Sequence, residues 1–170
     1  MQGFSAALIG HQSAHQAGQI PWTLTTYPNP MVNLEKCGRG HVSHICDPEL
    51  LLDPKVLDGL DAQIAKSVVP VEIAVFGEVS SSVFGSAWNL DEGFHAFASH
   101  LAQDWGVFGK GGSGIFILYS VSDDYIDIRT DEKIHIDHGL LRHLARAALR
   151  SANRLKLLRT DQVRKDVSNF

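Results

Sequence analysis

The sequence predicts an α/β fold with a small mixed sheet, and two observations lead to that expectation. First, a strand, a helix and a second strand follow one another at Val71–Val79, Asp91–Trp105 and Ile115–Val121. Such a crossover is almost always right-handed, and it makes its two strands parallel. Second, a Ser-Asp-Asp turn and the alternating strand Tyr125–Thr130 follow the second strand, which indicates an antiparallel hairpin.

Two helices are predicted from their caps and their apolar spacing. The first covers Pro54–Ser67, where Asp53 is a suitable N-cap and a proline stands at the first helical position. The second is capped by Asp91 and carries apolar residues at i, i+3, i+4, i+7 and beyond. Each helix is therefore expected to lay one apolar face on the sheet.

The strands differ in how deeply they are expected to lie. The segment Ile115–Val121 is apolar on both faces, as is typical of a central strand. The last strand alternates, so Ile126 and Ile128 are expected to point inward and Asp127 and Arg129 outward. This strand is predicted to be half exposed.

The chain combines an acidic body with a basic tail. Apolar residues make up 44% of it, which supports a core, and the net charge of −4 argues against a nucleic-acid partner. Residues 133–170 carry a net charge of +6 and residues 1–132 a net charge of −10. A basic amphipathic helix is predicted near Leu140–Leu158, packed on the sheet with its arginines in solvent. The alternative is contact with an acidic partner or an anionic membrane surface. Its regularly spaced arginines are Arg142, Arg146, Arg150 and Arg154.

Three regions are expected along the chain. Residues 1–26 are predicted to be a disordered or precursor-like segment, residues 27–134 a domain, and residues 135–170 the helical tail. The first residues lack the basic start of a signal peptide. No apolar run reaches the roughly 18 residues that a membrane span needs.

Two cysteines and two histidines lie within ten residues, at Cys37, His41, His44 and Cys46. Two thiols and two imidazoles are the ligands of many structural zinc sites, although such sites usually join two distant ligand pairs. A disulfide between the cysteines is the second interpretation, and it would indicate an oxidising compartment. Two free thiols are the third, and the spacing alone leaves all three open.

Three carboxylates are predicted to meet at one edge of the sheet. Both strands of the crossover end at the same edge, where ligands of open α/β sheets bind. Asp123 and Asp124 follow the second strand, and Asp47 precedes the helix that runs back to this edge. Carboxylate oxygens suit calcium or magnesium. The alternative is that all three are ordinary turn and helix-start residues.

The remaining patterns predict no site. Gly109–Gly114 matches G-x-G-x-x-G, but a helix precedes it and a strand follows it, so no nucleotide is expected. His95 and His100 do not share a helix face. A polar loop is the favoured interpretation of the last cluster, which comprises Asp131, His135, Asp137 and His138. No catalytic residue is assigned.

The stretch from Asp47 to Ile134 resembles the TPM domain. The resemblance rests on "CDPELLLD", "LDAQI", "VEIAVFGEV" and "DWGVFGKGGSGIFILYSVSDDYIDIRTDEKI". The upstream segment Tyr27–Pro48, "YPNP…CGRGHVSHICDP", is similar to the animal branch that modulates levamisole-type acetylcholine receptors, where a cysteine pair precedes the domain. By this resemblance Cys37 and Cys46 form a disulfide and the domain is extracellular or membrane-associated.

The resemblance also implies an α/β/α sandwich and, in some members, a cation-binding acidic edge. Asp47, Asp123 and Asp124 match the acidic positions of that edge. Tyr125 stands where many members have arginine, and the segment that begins at Thr130 replaces a glycine-rich one. The function implied is an extracellular module that binds or modulates a membrane receptor. The alternative is a weak metal-dependent acid phosphatase.

Overall fold

The computed structural model describes residues 22–79, 89–109 and 113–131, and further on residues 134, 137, 139, 141–143 and 145–151. The expectations for residues 1–21, for the loop 80–88, for His135 and His138, and for the tail beyond residue 151 lie outside the described residues. So does the centre of the glycine tract, at residues 110–112.

A four-stranded mixed sheet forms the centre of the molecule. In chain order its strands are β1 (Ile45–Cys46), β2 (Val71–Phe76), β3 (Ile115–Ser120) and β4 (Tyr125–Thr130), and they lie side by side in that order. β1, β2 and β3 are parallel, and β4 is antiparallel to β3. This arrangement confirms the predicted crossover and hairpin. The sequence did not predict β1, since two residues are too short to show periodicity.

Both predicted helices are present. α1 (Pro54–Ile64) begins after Asp53, whose carboxylate accepts from the N–H of Lys55 at 2.9 Å, as expected for its N-cap. α2 (Leu90–Asp104) begins one residue before the predicted cap, Asp91. Its N-cap is Asn89, whose side chain accepts from the Glu92 N–H at 2.8 Å, so Asp91 lies inside the first turn instead.

The helices cover opposite faces of the sheet, which makes an α/β/α sandwich. Side chains alternate along each strand, so Ile73 and Val75 face α1 while Ala74 and Phe76 face α2. The α2 face is rich in aromatic residues: Tyr27, Phe76, Phe94, Phe97, Trp105 and Phe116. The α1 face is mainly aliphatic: Ile45, Leu52, Leu57, Ile73, Val75, Ile117, Ile126 and Ile128, together with Tyr119.

Asp127 corrects the prediction for β4. Ile126 and Ile128 point into the core, as expected, and Asp127 lies on the other face. It is not solvated, however, because only 1% of it is exposed. Its carboxylate oxygens lie 3.5 Å from His95 of α2 and 3.8 Å from Arg142. These basic groups cover a position that alternation alone assigned to solvent.

The described part of the tail is helical at residue 139 and at residues 141–143 and 145–151. Leu149 is buried against the α1 face, and Leu141 and Ala145 pack there as well. These three residues therefore pack against the sheet. Arg150 does not simply face solvent, because it pairs with Asp124. None of the helices within the described ranges has both the length and the apolar character needed to cross a bilayer.

Candidate functional site

A segment without regular secondary structure, residues 22–44, joins the sheet near the end of β1. Cys37 of this segment forms a disulfide with Cys46 of β1, and their Cα atoms are 4.4 Å apart. The disulfide implied by the family resemblance is therefore present. Since both sulfurs are used, the zinc interpretation and the free-thiol interpretation of this loop are wrong.

Tyr27 ties the same segment to the sheet by hydrogen bonds. Its hydroxyl lies 3.0 Å from the carbonyl oxygen of Cys46 and accepts from the N–H of Val75 at 3.0 Å. The ladder between β1 and β2 ends at this point. The Tyr27 hydroxyl therefore bonds to backbone groups that a further pair of strand residues would otherwise bond. Burial raises the pKa of Tyr27 well above its usual value, and the charge of Asp47 adds to the effect. The hydroxyl is therefore a neutral structural group.

Asp47, the first predicted metal ligand, follows β1 and is fully buried. Its two carboxylate oxygens accept from the N–H groups of Leu51 and Leu52, each at 2.8 Å. Its own carbonyl oxygen accepts from Leu50, which adopts the left-handed conformation with φ of 53°. Asp47 thus organises the turn that leads from β1 towards α1.

Glu49 stands at the carboxyl end of β2. One of its carboxylate oxygens accepts from the Trp22 indole at 2.6 Å and from the Gly77 N–H at 2.9 Å. A side chain at Gly77 would place its Cβ 2.7 Å from the other oxygen of Glu49, so the Glu49 carboxylate would have to shift. Trp22 also forms a parallel bridge with Val79. The contacts of this segment therefore begin no later than residue 22.

The other two predicted ligands, Asp123 and Asp124, lie in the turn between β3 and β4. The Asp123 carboxylate accepts from the Ser120 hydroxyl at 2.6 Å. Asp124 adopts the left-handed conformation with φ of 48°, and its carboxylate accepts from the Arg150 side chain at 2.6 Å. Next in the chain, Tyr125 stacks on Phe94 with ring centres 4.6 Å apart, and burial raises its pKa to about 12.

The three predicted carboxylates therefore each serve a local contact. Among the described residues, no group of three or more histidine, cysteine, aspartate or glutamate side chains is arranged to hold a metal ion. The structure does not bring Asp47, Asp123 and Asp124 together as one ligand set. Binding of calcium or magnesium stays a prediction that rests on the resemblance.

His41 and His44 belong to a second cluster of charges, at the amino end of the sheet. His41 lies 3.6 Å from Asp61 of α1, and Nδ1 of His44 lies 2.9 Å from Glu72 of β2. Burial raises the pKa of Glu72, although the hydrogen bond and charge of His44 oppose this shift. The same cluster contains the buried Arg39, which pairs with Asp58 at 2.7 Å.

Residues 22–124 match the family model described as modulator of levamisole receptor-1. This match covers more than half of the chain. The chain belongs to the modulator of levamisole receptor-1 family. No match was found among curated proteins or among solved structures.

The family region begins at the residue whose indole contacts Glu49 and ends in the turn between β3 and β4. It therefore includes the whole segment closed by the disulfide, whereas the TPM resemblance covered residues from Asp47 onward. β4 and the helical tail lie after the matched region.

Sequence reasoning missed the structural roles of Tyr27 and Glu49. Sequence gives no signal for the role of Tyr27, because a contact between residues 27 and 75 leaves no local pattern. For the role of Glu49 the sequence offers one indication. Glu49 lies two residues after Asp47, in a turn that the sequence places at the edge of the sheet. The sequence singles out Asp47 as a candidate ligand. However, a carboxylate that accepts backbone hydrogen bonds and one that binds a cation look alike in sequence.

Proposed function

We propose that the chain is an extracellular TPM-like module that binds a membrane receptor of the acetylcholine type and modulates its current. The observation that carries the proposal is the family match over residues 22–124. The disulfide supports it, since disulfides persist in oxidising compartments such as the cell exterior. The receptor itself is taken from the family description alone.

The disulfide-anchored segment has features that suit a protein contact. Met31, Val32 and Val42 expose 56%, 75% and 66% of their surface, which is high for apolar side chains. Contiguous exposed apolar patches mark protein interfaces, and we assign these three side chains to one such patch. Tyr27 and the disulfide hold this segment to the sheet, so the surface is preorganised for a partner.

The test is an electrophysiological recording. The full chain, secreted through an added signal peptide, is co-expressed with a levamisole-type acetylcholine receptor, and the agonist-evoked current is measured. We expect the current to change and the receptor to co-precipitate with the chain. The double variant Val32→Asp/Val42→Asp should lose both effects. Val68→Asp is the matched control, because Val68 is 99% exposed and lies outside the segment.

Unchanged current together with absence of receptor in the precipitate would overturn the proposal. A normal response of the Val32→Asp/Val42→Asp variant would remove the assigned surface while leaving the receptor role in place. Divalent cation binding is a separate part of the proposal. It predicts that calcium or magnesium raises the melting temperature, since a ligand that binds only the native state stabilises it. No observation of the site favours the phosphatase alternative.

A further inference from the structure

A groove of about 230 Å³ lies between α1 and the described part of the helical tail. Its floor is formed by buried leucines, and Val56 and Leu60 of α1 form a half-buried wall. The floor residues are Leu52, Leu57 and Leu149, each at most 2% exposed. An apolar, concave surface with few polar groups is typical of small-molecule sites. Neither the family match nor the receptor proposal gives this groove a role.

Gly59 lies on the wall of the groove, in the interior of α1. A glycine at such a position makes a helix less stable than an alanine would. The fold gives no steric reason for it, because a Cβ at residue 59 would meet no heavy atom within 4 Å. The missing side chain instead adds to the open space above the leucine floor. This observation favours an occupant that uses the space.

Lys55 supplies the positive charge of the groove. No described carboxylate lies within salt-bridge distance of its ammonium group. Asp58, three residues later on α1, pairs with Arg39 at 2.7 Å instead. The position four residues after Lys55, where an acidic side chain could pair with it on the helix surface, is Gly59. An apolar groove with one unpaired cation at its edge is complementary to an apolar anion.

We propose that this groove binds a free aliphatic monocarboxylate. The carboxylate group pairs with the Lys55 ammonium, and the hydrocarbon chain lies over Gly59 between Val56, Leu60 and the leucine floor. One cation balances the single charge of a carboxylate, whereas a phosphate monoester carries nearly two negative charges. The proposal does not depend on the receptor role, because it concerns none of the residues assigned to the receptor surface.

The experiment follows the backbone N–H signals of the full chain by NMR during titration with octanoate. The spectrum of Gly59→Ala assigns the Gly59 signal. We expect this signal to shift in a saturable way, while the signal of Gly93, which is buried in α2, stays in place. Hexanoate and butanoate should bind progressively more weakly, by up to about fourfold for each methylene group lost. Hexan-1-ol and hexylammonium, which lack the negative charge, should bind more weakly than hexanoate.

Gly59→Leu should weaken the binding of octanoate by roughly tenfold or more, because the new side chain displaces at least two methylene groups of the ligand. The melting temperature of this variant should not fall, since the position has room and leucine favours a helix more than glycine does. A loss of binding without a loss of stability is the result that a purely structural role of Gly59 would not give. Ala96→Leu is the matched control, at an exposed position of α2.

Lys55→Gln should weaken the binding of octanoate by roughly two- to fivefold, as expected for the loss of an exposed ion pair. Lys55→Arg keeps the charge and should keep most of the affinity. Lys66→Gln is the matched control, because Lys66 is an exposed lysine beyond the end of α1. High salt should reduce the difference between Lys55→Gln and the wild type, since salt screens exposed charges.

The proposal fails on any of three results. They are the absence of a saturable shift of the Gly59 signal, equal affinities for hexan-1-ol and hexanoate, and unchanged affinity for octanoate in folded Gly59→Leu. It also fails if octanoate does not bind while Gly59→Leu, but not Ala96→Leu, stops the receptor from co-precipitating with the chain. That result would assign the groove to the protein partner.

Discussion

At the carboxyl end of the sheet Asp47 is fully buried and both of its carboxylate oxygens accept backbone hydrogen bonds. At the amino end Glu72 is also buried, but one of its oxygens has no partner among the described residues. The two carboxyl groups lie at opposite ends of one small sheet. Their difference separates a carboxylate whose two oxygens are both bonded within the fold from one that keeps an oxygen without a partner among the described residues.

The comparison also concerns the expectation from sequence, in which cation binding at the carboxyl end stays a prediction. The carboxyl end was predicted to bind a cation because parallel strands deliver aspartates there. In the structure those aspartates are occupied by Leu51, Leu52, Ser120 and Arg150. One of the buried carboxyl oxygens without a hydrogen-bond partner among the described residues lies within β2, at a residue that alternation would assign to an ordinary strand position.

Removal of the Asp47 carboxylate should have the largest effect. Asp47→Ala leaves the N–H groups of Leu51 and Leu52 without their acceptor inside the protein, so we expect a loss of about 3 kcal/mol in the free energy of unfolding. Asp47→Asn keeps one oxygen and should lose less. Urea denaturation followed by circular dichroism measures both. A loss below about 1 kcal/mol for Asp47→Ala would show that the turn does not need this carboxylate.

Tyr27→Phe should have the next largest effect. The change removes the acceptor of the Val75 N–H and the donor that lies 3.0 Å from the Cys46 carbonyl oxygen, while the ring remains. We expect a loss of about 2 kcal/mol in the free energy of unfolding. Tyr125→Phe is the control, because that tyrosine is only partly buried and should lose less. A loss below about 0.5 kcal/mol for Tyr27→Phe would mean that the hydroxyl of Tyr27 does not join the segment to the sheet.

Much of the fold was predictable because its signals are local. Asp53 and Pro54 define a helix start within two residues, and the alternation of Tyr125–Thr130 reports a strand within six. The boundaries of β4 agree with the prediction. What the sequence could not show depends on contacts distant along the chain, such as Tyr27 with Val75 and Glu49 with Gly77.

In the candidate site, too, local features were predictable and contacts between distant residues were not. The disulfide followed from a family resemblance, because Cys37 and Cys46 alone fitted three interpretations. Asp47 follows β1 and Asp123 and Asp124 follow β3, but the partners of these aspartates were not predictable. Backbone N–H groups and Arg150 compete with a metal ion for the same oxygens, and only coordinates show which of them is within reach.

Glu72→Gln should change the stability less than the variants of Asp47 and Tyr27, and its effect should depend on pH. Burial raises the pKa of Glu72 in the folded chain, despite the opposing contact with His44, while Asp61 adds to the shift. The folded state therefore holds the Glu72 proton more tightly than the unfolded state. Glu72 therefore stabilises the folded state at pH values below its ordinary pKa. This contribution is lost as pH rises through the raised pKa of the folded state.

The stability of Glu72→Gln relative to wild type should accordingly increase as pH rises from about 4 to 7, over the ordinary range of glutamate and above it. Thermal melts at each pH measure the difference, which isolates Glu72 from the other carboxylates. Glu78→Gln, at an exposed position, should show a flatter difference. A relative stability of Glu72→Gln that falls with pH would show that His44, rather than burial, dominates the environment of Glu72.

Arg150→Ala should have the smallest effect, although its contact with Asp124 is short. Both side chains are well exposed, at 57% for Arg150 and 38% for Asp124, so water and salt screen their attraction. We expect a loss of at most about 0.5 kcal/mol in the free energy of unfolding, and a smaller one in high salt. Leu149→Ala, one residue earlier and buried, should lose about 2–3 kcal/mol. If Arg150→Ala were the more damaging change, the ion pair would hold the tail on the sheet, and the carboxyl end would depend on charge at its surface as well as in its core.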